Sequence, residues 1–231
     1  MGQGVGLVAN NVRKSFDRGL VPALTGVDLE VVSGERVAVM GPTGCGKSTL
    51  LSLLALLDDP DDGEILIDGT PAARFHPAED WRARNVGIVF QFHHLLPHLT
   101  AAENVALPLM GQGLTRSEIA SRVQTVLDSL GLAHRAGALA ARLSGGERQL
   151  TAVARALVAE PRLLLADEPT GSVDTATGER ILRILLESSG KNGASVVLVT
   201  HDLAVARALD RLVSMRDGRV AGNNEPSTQT L

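Results

Sequence analysis

The chain has 231 residues, and its 22 Lys+Arg against 26 Asp+Glu give a formal net charge of −4, without the basic excess that a nucleic-acid binder needs. Four Phe, one Trp and no Tyr supply no aromatic platform for stacking single strands, so no nucleic-acid partner is expected. A single cysteine, Cys45, excludes an intramolecular disulfide framework and fits a reducing, cytosolic compartment.

The opening residues, Met1-Gly-Gln-Gly-Val-Gly-Leu7, carry neither a basic segment followed by an apolar one nor the Ser or Thr of a myristoylation signal, so no export or lipid signal is expected. Residues 6–12 read as a strand, and Val27, Leu29 and Val31 alternate with polar residues as another. Residues 36–40 (RVAVM) are an apolar run ending in glycine, which predicts an antiparallel layer feeding a buried central strand. A helix over 47–57 follows, stopped by the turn cluster DDPDDG at 58–63. Its stretch LLSLLALL at 50–57 is the longest apolar run and falls far short of the roughly 18 residues of a membrane span. Any span is therefore expected on another chain.

Strands are predicted at 64–68 (EILID) and 86–90 (VGIVF). From about 92 to 160 the period is helical, and Thr100/Glu103, Thr115/Glu118 and Ser144/Glu147 each fit a capping box at a helix start. Two buried-strand runs, 163–166 and 195–200, flank a helix over 178–187, a βαβ signal that resumes a parallel sheet. The expected architecture is one α/β domain over 1–231. Residues 1–91 and 161–222 form its core lobe, 92–160 a helical lobe, and 223–231 a polar tail.

The segment Gly41, Pro42, Thr43, Gly44, Cys45, Gly46, Lys47, Ser48 fits G-x-x-x-x-G-K-[ST] after a strand and before a helix, the context a phosphate loop requires. Its glycines let backbone N–H groups turn toward phosphate oxygens, and the helix start adds positive potential. Lys47 can neutralise the β- and γ-phosphates, Ser48 is a hard ligand for Mg²⁺, and Thr49 stands near the α-phosphate. Cys45 reads as a small loop residue, with a redox role as the alternative.

The apolar strand 163–166 ends in Asp167 and Glu168, two carboxylates at the sheet edge where ligands bind. Asp167 is placed to hold Mg²⁺ through water and Glu168 to face the water that attacks the γ-phosphorus. Kinases, GTPases, helicases and transporters all share those two features, so the middle segment decides among them. Leu143-Ser144-Gly145-Gly146-Glu147 opens a helix capped by Ser144, whose glycines leave amides uncovered: a second anion site. A symmetric dimer pairing the phosphate loop of one copy with the Ser144 helix of the other would enclose two nucleotides.

With LSGGE at 143–147, which matches the family's signature motif, the sequence resembles the ATP-binding cassette (ABC) ATPases along nearly its whole length. The resemblance implies a P-loop NTPase fold with a RecA-like parallel core, an antiparallel β-subdomain and an α-helical subdomain. It further implies that Gln91 is the Q-loop glutamine, touching Mg²⁺ or the attacking water. Residues 171–174, ending in Asp174, match the D-loop, and His201 matches the switch histidine at the γ-phosphate. Phe16 matches the aromatic that stacks on adenine, and fits equally as a core residue. Two departures, Ser172-Val173 in the D-loop and Leu150-Thr151 after the signature, touch no charged catalytic group.

Gln91-Phe-His-His-Leu-Leu-Pro97 is similar to the matching segment of lipoprotein-releasing ABC ATPases, a subfamily that includes MacB-like macrolide exporters and FtsE-like division ATPases. That likeness implies a peripheral ATPase on the cytoplasmic side of the inner membrane, using ATP and Mg²⁺. It would work as a homodimer when ATP is bound and dock two LolC/LolE-like inner-membrane subunits near residues 91–110. His93, His94 and His98 suggest a metal site as the alternative use of this stretch, but no Cys or acid nearby completes a ligand set. A small-molecule P-loop kinase is the reading from a different class, and it would have no use for LSGGE.

Overall fold

The structure, a computed structural model, describes residues 4–224, so the part of the expected tail beyond 224 lies outside the described residues. β1 (Leu7–Phe16) and β2 (Val21–Val31) pair antiparallel, and both are longer than the alternation suggested. Register shifts between Ala9 and Val12 and between Lys14 and Ser15 break the two-residue period, which hid the outer half of each strand. β3 (Arg36–Met40) leads through the glycine loop into α1 (Lys47–Leu54). That helix stops before Leu56, whose φ is 54°.

β4 (Asp62–Ile67) returns beside β1, and β5 (Thr70–Pro71) completes a four-stranded sheet in the order β2-β1-β4-β5. α2 (Ala78–Asn85) was not expected from the sequence. Glu79 and Asp80 begin it and Arg82 and Arg84 end it, with only Trp81 packed on the core, so it shows no apolar stripe to read. β6 (Val86–Val89) follows. Then come α3 (Ala101–Ala106), α4 (Arg116–Ser129) and α5 (Gly145–Leu157), each opened by one of the three expected capping boxes.

The chain re-enters the central layer with β7 (Leu163–Asp167), α6 (Thr175–Asn192) and β8 (Ser195–Val199). α7 (Leu203–Arg207) and a hairpin of β9 (Arg211–Arg216) and β10 (Arg219–Asn224) complete it. β10 runs two residues into the segment read as a tail. The second sheet has six strands in the order β10-β9-β3-β8-β7-β6, parallel except for β10 against β9.

Alternate residues of the central strands serve two cores. Val37, Val39, Leu163, Leu165, Val197 and Val199 pack with α1 and the antiparallel sheet. Ala38, Leu164, Ala166, Val196 and Leu198 pack with α4, α5 and α6. Strands covered on both faces read as continuous apolar runs, which is why these were visible in the sequence.

Candidate nucleotide site

The phosphate loop bridges the carboxyl end of β3 and the start of α1. Gly46 precedes α1 with φ 99° and no side-chain cap, leaving the first helical amides without a side-chain partner. A Cβ at Gly46 would come within 2.4 Å of the Ala23 carbonyl oxygen, whereas one at Gly44 (φ 80°) would meet nothing within 4 Å. Gly46 thus serves close approach as well as backbone conformation, and Gly44 conformation alone. Lys47 is buried, and its ammonium donates to the carbonyls of Gly41 and Pro42 at 2.8 Å each. The Cys45 Sγ is also buried, 3.9 Å from that nitrogen.

Asp167 ends β7 beside this loop and hydrogen-bonds the Ser48 hydroxyl. Burial pushes its carboxyl above the ordinary range and the neighbouring Glu168 adds to the rise, while Ser48 and the Lys47 charge oppose it. Ser48, Gln91 and Asp167 line one cleft of about 300 Å³ together with Phe90, Phe92 and His94.

Glu168 turns the chain with φ 47°, fixed by its N–H donating to the Val199 carbonyl at 2.9 Å. Its Oε1 lies 2.9 Å from Nδ1 of His201. The carboxylate is largely covered, with 12% of its side chain exposed, while the imidazole is 74% exposed. Glu168, His201 and Asp174 line a second cleft of about 460 Å³. Asp174 caps α6, accepting from the Thr177 amide at 3.0 Å and its hydroxyl at 2.7 Å, bonds that hold its carboxyl below the ordinary range.

Ser144 lines neither cleft. Its hydroxyl accepts from the Glu147 amide at 3.3 Å, and Glu147 accepts in return from the Ser144 amide at 2.8 Å. The amides of Gly145 and Gly146 stay outside this box, and a Cβ at Gly145 would meet nothing within 4 Å. Phe16 stands at the end of β1, 44% exposed rather than in the core, with the Lys14 ammonium 5.9 Å from its ring centroid. It pairs with Val21 on the strand whose Ala23 meets Gly46. Among the described residues no three His, Cys, Asp or Glu side chains gather as a metal-binding group.

Sequence reasoning missed the floor of the loop. The Gly218 amide donates to the Cys45 carbonyl at 3.1 Å, and a Cβ on Gly41 would come within 2.2 Å of the Met215 carbonyl oxygen. The β9–β10 hairpin therefore braces the phosphate loop. Its signal was present in the Asp217-Gly218 turn after buried Val213 and Met215.

Taken together, a backbone cradle, a buried lysine, a Ser–Asp pair and a carboxylate–imidazole pair can hold a nucleoside triphosphate and deprotonate a water. The ABC transporter family model matches residues 24–171. The lipoprotein-releasing system ATP-binding protein LolD 2 of Caulobacter vibrioides is 44% identical over 206 residues, covering 88% of this chain and 90% of that protein. LolD of Bacteroides fragilis is 44% identical over 211 residues, covering 90% and 97%. Among solved structures, the dimeric ATP-binding cassette MJ0796 bound to ADP and Pi superposes with a TM-score of 0.90 at 37% identity, covering 95% and 98%. The cassette cbiO1 of Clostridium perfringens gives 0.82 at 29%, covering 95% and 88%. The chain belongs to the ABC transporter family, as an ATP-binding cassette ATPase.

Proposed function

We propose that this ATPase powers the release of lipoproteins from the inner membrane. It would sit peripherally on the cytoplasmic side and dock LolC/LolE-like membrane subunits through residues 91–110. The likeness to LolD proteins over most of both chains supports the lipoprotein reading. No helix of the described residues is long and apolar enough to cross a membrane. A MacB-like exporter or FtsE-like division complex would differ only in the partner.

The observation that carries the chemistry is the Glu168–His201 pair beside the phosphate loop. Backbone amides of 41–49 and Lys47 bind the triphosphate; Phe16 stacks on adenine. The Ser48 hydroxyl and the Asp167 carboxylate are hard oxygen donors already in contact, and with Gln91 they are the residues that would hold Mg²⁺, which supplies charge against the β- and γ-phosphate oxygens. Glu168 takes a proton from the water that attacks the γ-phosphorus, and ADP leaves. His201 orients that carboxylate and meets the γ-phosphate. Two copies close about a two-fold axis on two nucleotides, each lending Ser144, Gly145 and Gly146 to the other's γ-phosphate, with Asp174 at the contact.

Glu168→Gln keeps the shape and removes the base. It should bind ATP normally, lose about 10²–10⁴-fold in turnover and accumulate as an ATP-dependent dimer on size exclusion. Wild-type turnover in the variant would refute the assignment. Co-purification from detergent-solubilised membranes then tests the partner: a LolC/LolE-like pair supports lipoprotein release, and the membrane protein of a macrolide exporter or of a division complex replaces it.

A further inference from the structure

The turn after Gln91 has an uncommon backbone. His93 (φ 62°) and His94 (φ 47°) are consecutive in the left-handed region that side chains other than glycine rarely occupy. Within the turn, the His93 amide donates to the Phe90 carbonyl at 3.1 Å and the His94 amide to the Phe92 carbonyl at 2.6 Å. The His94 ring lies 4.8 Å from that of Phe90. At the tip, Phe92 is 75% exposed.

What closes this turn comes from α5. Arg155, in the last turn of that helix, donates from one guanidinium nitrogen to the His94 carbonyl and from the other to the His93 carbonyl, both at 2.6 Å. Burial draws Arg155 below the ordinary guanidinium range, and among the described residues no carboxylate acts on it. Its donors go instead to the two carbonyls of the left-handed pair, a planar fork that a lysine cannot reproduce.

The same helix is held at two further points. Ser144 caps its start, and Gln149, fully buried, donates to the carbonyl of Pro169, the residue after Glu168, at 2.6 Å. One helix thus touches the exposed turn, the strand end bearing the catalytic carboxylate, and the signature amides.

Resting on the transporter reading above, we propose that Arg155 is a positioning residue: it clamps the Phe92 turn to α5, so that a membrane partner pressing on that turn shifts the helix that carries Ser144. Such coupling is reciprocal, and its usual size is about 5- to 150-fold in the linked equilibrium.

The test uses the full chain, alone and with its co-purified membrane subunits, in wild type, Arg155→Lys and Arg155→Gln. In the isolated chain, amides 92–96 should exchange hydrogen at least about tenfold faster in both variants, with the middle of α5 unchanged. ATP affinity and basal hydrolysis should stay within about twofold, while stimulation by the membrane subunits should fall about tenfold or more. Unchanged exchange at 92–96 overturns the clamp. Faster exchange with full stimulation overturns its role in transmission, as does a loss of basal hydrolysis as large as the loss of stimulation, which marks a merely structural residue. If the wild-type chain itself is not stimulated by any membrane subunit, the transporter reading fails, and the exchange result still decides the clamp.

Discussion

Glu168 occupies a left-handed backbone conformation and holds the imidazole of His201 at 2.9 Å. Strain of this kind persists only where the surroundings over-determine it, here a backbone bond to β8 and a side-chain bond to the following loop. The phosphate-loop glycines separate by the same reasoning. Gly44→Ala should cost only the left-handed conformation, about 1–2 kcal/mol, because its Cβ has open space. Gly46→Ala adds a backbone clash with Ala23, worth about 1–3 kcal/mol more, and displaces the loop amides proposed to bind phosphate. Thermal unfolding with and without ATP distinguishes them: Gly44→Ala should keep a nucleotide-induced rise in Tm, and Gly46→Ala should lose it.

Among the helices, three capping boxes of the same design serve different ends. Thr115 and Ser144 both accept from the amide three residues on and both receive a returning glutamate. Replacing either by alanine should lower stability by about 1 kcal/mol in urea unfolding. Only Ser144→Ala should also lower ATPase activity, by tenfold or more on the order of a lost transition-state donor. Equal ATPase in the two variants would remove Ser144 from the site. These helix starts were legible because capping chemistry is local. The eight-residue α2 was not, since charge at both ends and one packed tryptophan leave no periodicity.

The molecule as a whole is closed by ion pairs between distant parts of the chain. Arg36, opening β3, bonds Asp210 just before β9 at 3.0 Å, and Arg211 bonds Glu35 at 2.6 Å. The Arg36 bonds hold the Asp210 carboxyl below the ordinary range. Burial alone would raise Glu35, and bonds from Arg211 and the Val32 amide outweigh it, so its carboxyl also lies low. With folded-state values depressed, the unfolded chain takes up protons first. This stability is complete above the unfolded values near about 4 and is lost as pH falls through the lower folded ones. Urea midpoints measured from pH 6 downward should therefore drop below about pH 4, and Asp210→Asn should start lower at pH 6 and fall less steeply. The same pairs seat the hairpin that braces the phosphate loop, so the variant should also weaken ATP binding.

Residues 41–48, the acids at 167–168 and the helix start at 144 could be recognised along the chain because each is a local device. A loop of glycines before a helix, carboxylates ending an apolar strand and a hydroxyl three residues before a glutamate announce their chemistry through neighbours in sequence. The two-sided burial of β3, β7 and β8 was legible for the same reason, as unbroken apolar runs. Three things came only with the tertiary structure: the hairpin under Cys45 and Gly41, the pairing of Glu168 with His201, and the grip of Arg155 on the turn after Gln91. Each joins residues tens to nearly two hundred positions apart through backbone carbonyls or a single side-chain pair. Such bonds depend on where strands and helices come to rest, and no local pattern of residue types encodes that position.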